Sequence, residues 1–117
     1  MTLNLKEYTR FDNNNDMYAA VRKQITLHAA ELTKSDHQVL DAILHHSAMH
    51  GAAQLTYPEM QEVTGKSIAT VQRAIRKLVK LRIIEKLHYF HPGIGGLGAN
   101  IYIILPSDDS GEKPQSA

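Results

Sequence analysis

With 117 residues, 43% of them hydrophobic and 21% charged, the chain suits one globular domain around a single modest core and is too short for two. Thirteen Lys plus Arg against twelve Asp plus Glu leave a formal net charge of +1, so the whole-chain balance points to no nucleic-acid, membrane or acidic partner, and only its distribution is informative. The absence of Cys excludes disulfides, thiolate nucleophiles, Cys-ligated zinc and iron-sulfur clusters.

The opening MTLNLKEYTRFDNNND carries no apolar run behind basic residues, and no stretch approaches the roughly 20 apolar residues that span a bilayer. A soluble, cytoplasmic protein without a membrane partner is expected. Leu3, Leu5, Tyr8 and Phe11 mix with polar neighbours, and Asn13, Asn14, Asn15 and Asp16 then form a breaker and cap signal. Met17, Val21, Ile25, His28 and Leu32 recur at spacings of three and four, which predicts a helix to about Glu31 with one apolar face.

Thr33 followed by Asp36 is a partial capping box for a second helix that carries Val39, Leu40, Ile43 and Leu44 and ends near His50-Gly51. Gln54-Leu55-Thr56 suits a very short strand. Thr56, with Pro58 in the first turn, caps a third helix whose core positions are Met60 and Val63, stopped by Thr64-Gly65. Ser67 caps a fourth helix, residues 67–81, with an apolar stripe of Ile68, Val71, Ala74, Ile75, Leu78 and Leu81. Residues 83–90 and 100–105 are β-branched and aromatic and predict two strands, joined by a glycine-rich loop at 91–99. The final SDDSGEKPQSA lacks large apolar residues and is expected to be disordered.

This order resembles a winged helix-turn-helix domain. LTYPEMQEVTGKSIATVQRAIRKLVKLRIIEK resembles the paired helices of that family and LHYFHPGIGGLGANIYIIL its wing. The resemblance runs from Leu32 to Leu105 and is similar to domains of plasmid and phage replication proteins and of MarR-like repressors. It implies a mainly α fold with a small β-hairpin wing (α+β), divided into an N-terminal arm and extra helix (1–32), the winged domain (33–105) and a tail (106–117). It also implies double-stranded DNA as partner, in transcriptional repression or in plasmid or phage replication or partition. Arg82 stands where relatives often carry Gly, so a positive φ there would strain the turn.

Charge distribution favours the same surface independently. Between Lys66 and Lys86 seven basic residues face one acid, Glu85, a local balance of +6 that leaves −5 on the rest of the chain. Arg73, Arg76, Lys77 and Lys80 fall on one helix face, opposite the apolar stripe. Ser67, Ala69, Thr70, Gln72 and Arg73 near the helix start have the size and hydrogen-bonding character to meet base edges. Lys66, Lys86, His91, Gly95 and Gly96 are further candidate contacts, with the wing on the backbone. A solvated basic face without function is the plain alternative.

Gly93, Gly95 and Gly98 spell GxGxxG, but a strand follows rather than a helix, so no dinucleotide or other cofactor is expected. His46 and His50 are i, i+4 partners with His45 beside them, a pair that a metal-responsive repressor could use. With no Cys and no carboxylate at a fixed spacing, although Asp41 or Glu31 could approach in the fold, a polar helix end is the simpler reading. No nucleophile elbow or other catalytic spacing assembles Ser, His and Asp, so neither enzyme activity nor a small-molecule substrate is expected. An adaptor that binds protein instead of DNA is the rival, though it has no need of the +6 cluster. The first helix either packs back on the domain or pairs with a second copy, and Met17, Val21, Ile25 and Leu32 are the candidate seam of a homodimer.

Overall fold

Asn13 starts the first helix as its position predicts, its side chain accepting the Asp16 N–H at 2.8 Å. The computed structural model describes residues 4–88, 90–91, 96–97 and 99–107. In chain order they form a 3-10 turn (Leu5–Tyr8), α1 (Asn14–Leu27), α2 (Lys34–His50), β1 (Ala53–Leu55), α3 (Tyr57–Thr64), α4 (Ile68–Lys80), β2 (Ile84–Leu87), β3 (Phe90–His91), β4 (Gly96–Leu97) and β5 (Asn100–Ile104). The class is α+β. Among the described residues no helix is long and apolar enough to cross a membrane.

Capping residues set the helix starts. The Thr33 hydroxyl accepts the Asp36 N–H at 3.2 Å while the Asp36 carboxylate accepts the Thr33 N–H at 2.9 Å, so Asp takes the place that Glu or Gln usually holds in this box. Thr56 and Glu59 close a second box, at 3.1 and 2.8 Å. Gly65, at φ 71, ends α3 in the left-handed region. Ser67 accepts the Thr70 N–H at 3.2 Å and starts α4.

The C-terminal end of α4 is a Schellman turn: the Arg82 N–H donates to the Val79 carbonyl and the Ile83 N–H to the Leu78 carbonyl, both at 3.0 Å. Leu78 and Ile83 are both fully buried, which supplies the apolar contact of that motif. Arg82 occupies its left-handed position at φ 61. The strain anticipated from the sequence is present.

β1, β5 and β2 form a three-stranded antiparallel sheet in that order, with Ala53 opposite Tyr102 and Ile84 opposite Ile104. α2 lies against α3, α4, β1 and β5, and the main core gathers Val39, Leu40, Ile43, Met60, Val71, Ile75, Leu78, Ile84 and Tyr102. The other face of the sheet is also covered. Ala52, Ile101 and Ile103 there pack with Leu5 and Tyr8 of the 3-10 turn and with Leu87. The arm crosses tightly over Gly51, at φ 99, where a Cβ would stand 2.7 Å from the Lys6 Cα, so glycine is required twice over.

Several expectations need correction. α1 stops at Leu27, four residues early, because the His28 carbonyl accepts the N–H groups of Glu31 and Leu32 in a turn that delivers Leu32 to the core. Met17, Val21 and Leu32 are buried in the chain's own core and Ile25 packs against it; the stripe is occupied within one chain and is no open seam. Val63 is 59% exposed, because the inward line of α3 runs through Tyr57, Met60 and Thr64 instead. Ile68, at the exposed start of α4, is 41% exposed. The strand expected over 83–90 divides into β2 and β3, and part of the expected loop is paired, with Phe90 opposite Leu97 and His91 opposite Gly96. Gly93, Gly95, Gly98 and residues 108–117 lie outside the described residues.

Candidate functional site

α4 turns Val71, Ala74, Ile75 and Leu78 into the core. At about 100° per residue the opposite side is centred on Ala69, Arg73, Arg76 and Lys80, and all four are exposed. Ser67 and Ala69 are exposed at the helix start, while Lys66, Thr70 and Gln72 are half-buried on the flanks. Thr70 is tied locally, its hydroxyl accepting from Ser67 Oγ at 3.0 Å and from Arg73 Nη2 at 3.4 Å. No acid stands in the first turn. Among the described residues, Arg73, Arg76 and Lys80 make no ion pair, so their charge is available to an anion outside the fold.

Lys77 does not stand with them. Its ammonium donates to Asp36 Oδ2 at 2.7 Å and to the Glu31 carbonyl at 2.9 Å, so in the free protein it braces the α1–α2 connection. Asp36 is only 4% exposed. Burial alone would push its carboxyl up, but hydrogen bonds from Lys77 and Thr33, together with the Lys77 charge, hold it below the usual carboxylate range. No local pattern announces this pair, since the partners lie 41 residues apart. Asp36 as a partner is therefore invisible in the sequence, and Lys77, expected on the exposed basic face with Arg73, Arg76 and Lys80, lies half-buried on its flank.

The candidates beyond α4 are more scattered. Lys86 is half-buried in β2, opposite Tyr102. His91 and Gly96 face one another in the β3–β4 pair, and Gly95 lies outside the described residues. His45, His46 and His50 sit at the end of α2 with ring centroids 6.0 and 6.3 Å apart along the series. Burial, then the neighbouring His45 and His50, keep His46 below its ordinary pKa, with Glu59 opposing. Among the described residues no group of three or more His, Asp or Glu is arranged to hold a metal ion, so His46 and His50 have no third ligand there.

The arrangement is suited to holding a polyanion along a rigid helix. Three cations project from one side of α4 while the other side is locked into the core, so their spacing is fixed by the helix rather than by flexible loops. No family model matches the sequence, and comparison with curated proteins finds no similar one.

Proposed function

We propose that this chain is a winged helix-turn-helix protein that binds double-stranded DNA, with α4 in the major groove and the β2–β5 hairpin, extended by β3–β4, against the flanking backbone. The observation that carries the proposal is the exposed ridge of Ala69, Arg73, Arg76 and Lys80, free of internal ion pairs among the described residues and directly opposite the buried stripe. A major groove about 12 Å wide admits such a helix. The order of elements supports it, because α3 and α4 are joined by only Gly65, Lys66 and Ser67 and are followed by an antiparallel hairpin. The local charge of +6 over residues 66–86, reduced to +5 once Lys77 is set against Asp36, supplies the attraction to phosphate that any such binding requires.

In this reading Ser67, Ala69, Gln72 and Arg73 meet base edges, and Arg76, Lys80 and Lys66 hold phosphates. Lys86 and the His91–Gly96 pair belong to the backbone-facing part. The process served is repression, or plasmid or phage replication or partition, in a reducing cytoplasm that suits a chain without Cys. Any homodimer uses a surface other than the Met17, Val21 and Leu32 stripe.

Selection of bound fragments from a random DNA pool, followed by fluorescence anisotropy on the selected site, tests the assignment. Arg73→Ala and Arg76→Ala are each expected to weaken binding by about 1–3 kcal/mol while leaving the thermal melt unchanged. Full affinity in both variants would remove α4 as the reading surface.

A further inference from the structure

We propose that Arg10 and Arg82 form a second anion site, a cleft that takes a phosphate oxyanion apart from the α4 ridge. The cleft measures about 270 Å³ and is lined by Arg10, Arg82, Leu105 and Pro106. Its two arginines come from distant parts of the chain, one from the N-terminal arm and one from the turn after α4, and no acidic residue lines it. Both arginines are exposed. Neither makes a hydrogen bond through its side chain or an ion pair among the described residues, although Asp12 and Glu85 lie nearby in sequence.

Like charges facing one cleft repel unless an anion lies between them. The remaining lining offers no competing donor, since Pro106 has no N–H and the Leu105 N–H is already bonded to the Ile83 carbonyl at 3.0 Å. The donors are therefore the guanidinium forks, which match the paired oxygens of a phosphate. Arg82 adds an independent sign. It holds a left-handed φ of 61, where glycine fits without strain, and among the described residues its side chain makes no hydrogen bond or ion pair that would offset the cost. A ligand outside the fold accounts for both the repulsion and the strain.

The phosphate has two possible sources, a nucleic-acid backbone or a free anion, and only the first rests on the DNA-binding reading above. The experiment compares the full chain with Arg10→Gln, Arg82→Gln and the double variant, with folding of each checked by circular dichroism. One arm measures affinity for a random-sequence duplex across a salt series. The other titrates sodium phosphate without DNA and follows amide shifts by NMR.

A backbone source lowers the slope of log affinity against log salt by about 1 in each single variant. A free-anion source leaves that slope alone, while phosphate shifts the Arg10, Arg82 and Ile83 amides of the unmodified chain but not of the double variant. Either result supports the site and names its source. If the salt slope and the phosphate shifts are both the same with and without the arginines, the site is overturned. A chain that binds no duplex at all ends the DNA reading, and the phosphate arm then decides this site by itself.

Discussion

Lys77 Nζ lies 2.7 Å from Asp36 Oδ2 and 2.9 Å from the Glu31 carbonyl oxygen, so one side chain of α4 fastens both the α1–α2 turn and the first turn of α2. The carboxylate is nearly buried and the ammonium partly exposed. Removing the lysine leaves a buried anion with only its capping bonds, which is more damaging than removing an exposed pair. Lys77→Ala should therefore destabilise the fold by about 1–3 kcal/mol, read as a lower urea midpoint. It should leave the salt dependence of DNA binding nearly unchanged. A reduced salt slope with unchanged stability would show Lys77 to be a phosphate contact after all.

The same carboxylate and His46 give stability a predictable pH dependence. Asp36 titrates below its ordinary 3.8 and His46 below its ordinary 6.5. In both cases the unfolded chain takes up the proton before the folded chain does as pH falls, so acid favours unfolding. The contribution from His46 is complete above pH 6.5 and is lost as pH falls through its folded pKa; that from Asp36 is lost below pH 3.8. Urea midpoints measured from about pH 8 to about pH 3 should fall in two stages. His46→Gln should remove the first and Asp36→Asn the second, and an upper stage that persists in His46→Gln belongs to another group.

Local features were legible in the sequence because local chemistry decides them. Thr33, Thr56 and Ser67 cap the helices assigned to them, since a side-chain oxygen before a periodic apolar run meets its own N–H groups wherever the helix packs. The split of α4 into a buried and a charged face follows from spacing alone. Features that depend on distant partners were not legible: the Lys77–Asp36 pair, the cover that Leu5 and Tyr8 place over Ile101 and Ile103, and the cleft of Arg10 and Arg82. The stripe on α1 shows the limit most clearly. Periodicity reports that Met17 and Val21 are covered, and says nothing of which chain covers them.

Replacing Arg82 separates strain from function. Relief of the left-handed φ is worth about 1 kcal/mol, partly offset by the greater freedom of glycine in the unfolded chain. Arg82→Gly should thus be more stable by about 0.5–1 kcal/mol, a rise in melting temperature of about 2–5 °C for a domain of this size. A lower melting temperature would mean that the arginine side chain supports the fold and that its strain is repaid internally.

Charge substitutions along α1 test where its apolar face lies. Val21 is 3% exposed and Leu27 67% exposed, although both belong to one helix. Val21→Glu places a carboxylate among apolar side chains with no partner, which should lower stability by about 3 kcal/mol or more. Ile25, packed at the core margin, should tolerate Glu better, and Leu27→Glu should change stability by less than about 0.5 kcal/mol. Urea unfolding orders the three, and light scattering before unfolding reports association. If Val21→Glu instead converts a stable dimer into an equally well-folded monomer, the residue lies between chains and its place in the core of one chain is wrong.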